Sequence, residues 1–248
     1  IILQPEIREK EEFWGGVKAR LDQYKCVKCG ICADVCRFDA ITESLTVDVY
    51  SCEGCSVCSH MCPEQAITME ETLNGHWFIS DSRFGPMVHA ALLPGEENSG
   101  KLVALVRNQA KTTARNLGKD LILVDGAPGV GCPVIASVTG ADHVLVITEP
   151  SLSGLHDMQR AISLVKGFNI PLTAVINKYD INVEVSSKIE DWLKESGVSL
   201  AGKIPYDTSV IKSMVQRKCV VESGQGLAAS AIRDIWNYVR ADVLCLEA

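Results

Sequence analysis

Residues 26–42 read CVKCGICADVCRFDAIT and residues 52–68 read CEGCSVCSHMCPEQAIT. Both follow C-x2-C-x2-C-x3-C and reach Ala-Ile-Thr at the same distance. One unit therefore recurs with an offset of 26 residues, through Cys26/Cys52, Cys36/Cys62 and Ala40/Ala66. The chemistry requires that spacing. Three thiolates two residues apart wrap a loop around one 4Fe–4S cubane and take three of its irons, while the fourth cysteine, one residue further on, leads to the other cluster. The ligands are expected to cross over, with Cys26, Cys29, Cys32 and Cys62 on one cluster and Cys52, Cys55, Cys58 and Cys36 on the second. Gly30 and Gly54 lie beside the loops, where a missing side chain lets backbone N–H groups approach inorganic sulfide.

Structural zinc is the competing use of such cysteines, but it takes four ligands, usually as two pairs a dozen or more residues apart. A four-cysteine run this tight does not surround one tetrahedral ion. Pro63 follows Cys62, as in ferredoxins, whereas Arg37 follows Cys36, and His60 reads as a surface residue. The crowding of eight of the eleven cysteines between Cys26 and Cys62, with no secretory signal ahead of them, points to metal rather than disulfides. A net charge of −7 argues against a nucleic-acid partner, and no apolar run is long enough to span a bilayer. A cytoplasmic protein is expected.

From about Lys101 onward, amphipathic helices alternate with short apolar strands, the pattern of a parallel sheet covered on both faces. Expected strands are Leu121–Val124, Val144–Ile147, Thr173–Ile176 and Leu200–Ile204; expected helices lie near 101–116, 153–168, 184–196 and 225–240. Polar residues gather just after the strands, where open α/β sheets bind ligands. They are the run from Asp125 to Pro133, Thr148-Glu149-Pro150, Asn177-Lys178-Tyr179-Asp180 and Pro205-Tyr206-Asp207.

With these motifs the chain resembles the MinD/ParA superfamily of P-loop ATPases, in the branch carrying an inserted ferredoxin domain. The resemblance runs through GGVKARLDQYKC (15–26), GPMVHAALLPGEENSGKLV (85–103), DGAPGVGCPVIASVTGAD (125–142), TEPSLSGLHDMQR (148–160), INKYDIN (176–182) and IPYD (204–207). It implies an α/β fold with a mostly parallel sheet, related to that of nitrogenase iron protein, in residues 1–18 and 73–248, interrupted at 19–72 by a ferredoxin module of α+β type. It further implies that Asp125 holds nucleotide-bound Mg²⁺ through water and that Gly129 belongs to the switch sensing the γ-phosphate. Asn177 and Lys178, with Pro205, Tyr206 and Asp207, would line the base pocket for ATP or ADP.

The family begins with a strand and a K-G-G-x-G-K-T loop, which is absent from these 248 residues. Roughly 45 to 50 upstream residues are expected to supply it; ATP or ADP with Mg²⁺ is expected as a ligand only with that segment present, and without it the chain is expected not to hydrolyse ATP. Gly95 to Lys101 fits G-x-x-x-x-G-K, but Leu102 stands where Ser or Thr is required, so the segment reads instead as a turn capped by Ser99 ahead of a helix. Cys132, Cys219 and Cys245 lack partners at ligand spacing, and Cys132 alone sits beside the expected switch, where related dimers meet. His76, His89, His143 and His156 form no ligand pattern. The expected role is coupling of nucleotide state to electron transfer by two clusters, with a redox or metal-cluster protein as partner and a homodimer or a heterodimer with a paralogue as assembly. The alternatives are a cluster-assembly scaffold or carrier, and a redox docking module on a non-catalytic ATPase fold.

Overall fold

The computed structural model describes residues 2–96, 100–224 and 226–243. The chain divides into two compact units, Pro5–Leu123 and Val124–Ala248 together with the first four residues. In the first, β1 (Glu6–Leu21) leads to two short helices, α1 (Ile31–Asp34) and α2 (Val57–Met61), followed by β2 (Ile67–Ser82), β3 (Gly85–Leu92) and α3 (Gly100–Asn116). β1, β2 and β3 form an antiparallel sheet in that order, with Leu21 opposite Ile67 and Ser82 opposite Gly85. The cysteine loops therefore hang from the end where β1 leaves the sheet and β2 enters it. Residues 18 and 73 fall inside β1 and β2. Ala19, Cys32, Ala40, Ile41, Leu45, Cys52, Cys58 and Ile67 form the core of that end.

β1 bulges between Phe13 and Gly16, which frees two N–H groups that a regular ladder would use. Asn74 of β2, almost wholly buried, takes both: its Oδ1 accepts from Gly15 at 2.9 Å and Gly16 at 2.7 Å. A Cβ on Gly16 would stand 2.8 Å from Asn74 Nδ2, so the close approach needs glycine there.

The second unit holds α4 (Cys132–Val138), β4 (Val144–Thr148), α5 (Leu152–Gly167), β5 (Leu172–Asn177), α6 (Val183–Glu195), β6 (Ser199–Ile204), α7 (Thr208–Val215), α8 (Val220–Ser223) and α9 (Leu227–Tyr238). Its sheet is parallel in the order β4-β5-β6. Ala174, Val175 and Ile176 of β5 are completely buried, as expected of a parallel strand covered on both faces. Met158 and Ile162 of α5 pack with Val185, Ile189 and Leu193 of α6 over one side. α9 lies against β6, where a Cβ on Gly202 would meet Ile235 at 2.6 Å.

The expected strand at Leu121–Val124 does not form: the segment is unpaired, with Leu123 89% exposed. Strand formation depends on cross-strand partners more than on apolar composition, and no described strand pairs with it. The other three expected strands and all four expected helices are present to within a few residues. The Ser99 cap, with Glu97 and Asn98 of the same loop, lies outside the described residues, as does Cys245.

Candidate metal centre

Each first cysteine is presented by the same turn. Asp22 Oδ1 accepts from the Tyr24 N–H at 2.9 Å while the Asp22 carbonyl accepts from Cys26 at 3.1 Å. Asp48 does likewise for Tyr50 at 3.0 Å and Cys52 at 3.1 Å. The repeat thus extends upstream as D-x-Y-x-C, a signal present in the sequence at 22–26 and 48–52 but outside the cysteine spacing itself. The Asp48 carboxyl lies below the usual carboxylate range, first because Ser51 Oγ–H donates to it and then because Tyr50 N–H does, with Lys18 adding a smaller attraction.

The backbone repeats too. Lys28 and Gly54, Gly30 and Ser56, and Asp39 and Gln65 are offset by 26 residues, and all six have positive φ. Gly30 and Ser56 stand at the amino ends of α1 and α2. These helices bury the third cysteines, Cys32 and Cys58. Burial pushes both thiols up; Cys26 and Cys29 add to this at Cys32, and Cys52, Cys55 and Cys36 add to it at Cys58.

Two cavities result. Cys26, Cys29, Cys32 and Cys62 line one of about 330 Å³, counting its open mouth. Cys52, Cys55, Cys58 and Cys36 line the other, of about 350 Å³ on the same measure. Their remaining walls are largely apolar: Leu21, Ile31, Leu45 and Ile67 in the first, Ala19, Val35, Ile41 and Met69 in the second. In each set the second cysteine, Cys29 or Cys55, is exposed. Backbone N–H groups point at the sulfurs, from Lys28 to Cys26 Sγ at 3.4 Å, from Ala66 to Cys62 Sγ at 3.3 Å and from Ala19 to Cys52 Sγ at 3.5 Å. Among the described residues no group of three or more His, Cys, Asp or Glu side chains closes on a single ion. Four thiols around one apolar cavity suit a cubane, which offers its irons at separate corners.

Gly54 also makes room for a strand. A Cβ there would lie 2.1 Å from the Val17 carbonyl oxygen, so β1 presses directly on the second loop; at Gly30 the same atom would meet nothing within 4 Å. Arg37 is exposed.

The polar residues after the parallel strands gather at one sheet edge. Glu149 Oε1 accepts from Lys178 Nζ at 2.7 Å and from Asn177 Nδ2 at 3.4 Å. Asp180 Oδ1 accepts from the Tyr206 N–H at 2.7 Å. Asp207 caps α7 through Ser209 at 2.8 Å and accepts from Ala228 of α9 at 3.2 Å. Asp125 lies in a loop whose Ala127 packs against Val134 and Val138 of α4; Gly129, at φ +90°, is in the same loop, and Cys132 opens α4 exposed. The histidines are spoken for locally: His89 with Ser80, His143 with Thr173, His60 with the Ser56 carbonyl, His76 against Phe78 and His156 beside Asp157. No described helix is long and apolar enough to cross a membrane.

A sequence profile described as a 4Fe-4S binding domain matches residues 19–42. A protein of Methanocaldococcus jannaschii, described as uncharacterized, is 34% identical over 217 residues, which cover 87% of this chain and 72% of that protein. The septum site-determining protein MinD of Bacillus subtilis is 26% identical over 176 residues, 68% of this chain and 65% of its own length. An iron-sulfur cluster carrier protein of Pyrococcus furiosus is 28% identical over 130 residues, 47% of this chain and 43% of its own.

Proposed function

This chain belongs to the MinD/ParA superfamily of P-loop ATPases with an inserted ferredoxin module, and is an iron–sulfur protein; from there we propose that it holds two 4Fe–4S clusters and passes single electrons to a redox partner, under the control of nucleotide at its α/β unit. The sorting of eight thiols into two cavities of four supports this most directly. When bound, such a cluster supplies reversible one-electron transfer.

The chain's own residues do the holding and tuning. Cys26, Cys29, Cys32 and Cys62 would grip one cluster, and Cys52, Cys55, Cys58 and Cys36 the other. The N–H groups of Lys28, Ala19 and Ala66 offset negative charge on the sulfurs they face. Exposed Cys29 and Cys55 give each cluster an edge at the surface for a partner. In the α/β unit, Asp125 would hold Mg²⁺ through water, Gly129 would sense the γ-phosphate, and Asn177 and Lys178 with Pro205, Tyr206 and Asp207 would contact the base. Because Asn177 and Lys178 already share Glu149, a base entering there exchanges partners with that carboxylate.

Iron and acid-labile sulfide test the first half: protein prepared without oxygen is expected to hold about eight of each per chain. Four irons would remove the second cluster, and stoichiometric zinc without a brown chromophore would remove both. For the second half, in protein extended by an upstream segment carrying the K-G-G-x-G-K-T loop, Mg-ATP is expected to change the rate at which the reduced protein reduces a one-electron acceptor dye; an unchanged rate in the presence of bound nucleotide sinks the coupling.

A second reading, cluster delivery, is supported by the likeness to the iron-sulfur cluster carrier protein of Pyrococcus furiosus. It expects a labile cluster at exposed Cys132, shared between two subunits. Chelation then removes roughly one further cluster per dimer, and Cys132→Ala abolishes that fraction. Equal iron in mutant and parent leaves Cys132 as an ordinary surface residue.

A further inference from the structure

β1 meets the second cysteine loop through the backbone of two residues, Val17 and Ala19. The Val17 carbonyl lies against Gly54, and the Ala19 N–H donates to Cys52 Sγ at 3.5 Å. Lys18, between them, turns to the opposite side of the strand and meets Glu96 at 3.2 Å, with the two side chains only 12% and 15% exposed. Glu96 is held in turn by the Asn74 amide, whose oxygen is fixed by Gly15 and Gly16 at the β1 bulge. The loop carrying Glu96 also touches the second repeat, since a Cβ on Gly95 would lie 3.3 Å from the Tyr50 ring. At the first loop β1 contributes Leu21 to the cavity wall, and Lys28, the counterpart of Gly54, is exposed.

A shielded ion pair whose lysine stands between the two β1 residues that touch the second loop is more than a brace, because low solvent exposure leaves each of its charges poorly screened. We propose that Lys18 and Glu96 are positioning and tuning residues for the cluster in the Cys36, Cys52, Cys55 and Cys58 cavity, and set its reduction potential apart from that of the other. The inference rests on the two-cluster reading above. On reduction one electron enters the cluster and no bond forms or breaks, so a nearby cation favours the reduced state and a nearby anion the oxidised one. Together the charges nearly cancel. Removing either one exposes the other, and the two removals must act in opposite directions. Asp48, Glu53 and Arg37, charged residues near these cysteines in space or sequence, are unchanged in every variant, so they drop out of the comparison.

The experiment is a potentiometric titration of the full chain with both clusters loaded, followed by contact-shifted proton NMR, which reads each cluster through its own cysteine β-protons. Lys18→Met is expected to lower the potential of the Cys52 cluster, Glu96→Gln to raise it, and the double variant to return it close to the parent value; Lys18→Arg is expected to preserve it. The Cys26 cluster should move little in all four. Shifts of the same sign in the two single variants, no shift in either, or equal shifts at both clusters overturn the proposal. If Lys18→Met loses the Cys52 cluster, the double variant decides: retention there supports a charge effect, and loss there too overturns it in favour of packing. Iron is counted first. Four irons in the parent would mean that the two-cluster reading has failed, whereas eight irons with unmoved potentials would sink this inference alone.

Discussion

Lys28 and Gly54 occupy equivalent places in the two cysteine loops and share one left-handed backbone conformation, with φ of 57° and 65°. They are not interchangeable. At Gly54 the missing Cβ leaves room for the Val17 carbonyl, 2.1 Å from where that atom would be, whereas Lys28 carries a full side chain into open surroundings.

Gly54→Ala is therefore expected to damage the second cluster site. Backbone oxygen cannot swing aside as a side-chain tip does, and the left-handed conformation adds about 1 kcal/mol for a residue with a Cβ. Either β1 retreats, taking the Ala19 N–H away from Cys52, or the loop opens. Iron should fall from about eight toward about four per chain, with the Cys26 cluster retained. Lys28→Gly, by contrast, should keep both clusters and change stability by less than about 1 kcal/mol, since the relieved strain is offset by a freer unfolded chain. Full iron content in Gly54→Ala would show that β1 does not constrain the loop.

The fourth cysteine of each motif lines the cavity of the other motif. Cys62→Ser is expected to perturb the spectrum of the cluster held with Cys26, Cys29 and Cys32, and Cys36→Ser that of the cluster held with Cys52, Cys55 and Cys58. The measurement is electron paramagnetic resonance of the reduced variants against single-cluster references made by replacing Cys29 or Cys55. The reverse pairing of spectra would refute the crossover.

The cysteine centre was legible because ligand chemistry imposes spacing on the chain itself, and the same 26-residue offset carries the Asx turns and the positive-φ positions. What spacing does not carry is who the neighbours are. Leu121–Val124 has strand composition, yet apolar residues do not reveal whether a partner edge is present. β1 was unread for the opposite reason: Glu6 to Glu12 is a charged run with no clean alternation, and its strand exists through pairing with β2. The Lys18–Glu96–Asn74 network was equally invisible, since it joins residues brought together only by the bulge at Gly15 and Gly16.

Burial holds His143 below its ordinary value near 6.5, as it does His89. As pH falls, the unfolded chain takes up the proton first, so the stabilisation is complete above about pH 6.5 and is lost as pH drops toward the folded-state value. Hydrogen exchange at Thr173 and Ala174, corrected for its intrinsic pH dependence, should show less protection at about pH 5.5 than at about pH 7.5. In His143→Gln, which keeps a hydrogen-bonding group near Thr173 but does not titrate, that difference should shrink. The same slope in the variant would assign the acid sensitivity elsewhere.

Asp207 joins two helices. One carboxylate oxygen accepts from Ser209 at the start of α7 and the other from Ala228 in the first turn of α9, and Gly226 lets the chain pass so close that a Cβ there would lie 2.2 Å from Asp207 Oδ2. Asp207→Ala strips the acceptor from both N–H groups and should lower the melting temperature of the α/β unit. Asp207→Asn, which keeps one oxygen but turns an N–H₂ toward the second donor, should fall between parent and Ala. The charged carboxylate is favoured here, first by the Ser209 hydroxyl and then by the Ser209 and Ala228 amides, which hold its pKa below the ordinary 3.8. A depressed carboxyl contributes stability above its unfolded value and loses it as pH falls through the folded one. The gap between parent and Asp207→Ala should therefore be full at neutral pH and narrow below about pH 4. Calorimetric melts across that range check it, and nucleotide titration of the same variants in a chain extended by the upstream K-G-G-x-G-K-T segment separates the cap from a base contact: a pure cap lowers the melting temperature with nucleotide affinity intact, while loss of affinity in Asp207→Asn at unchanged stability would place the carboxylate on the base.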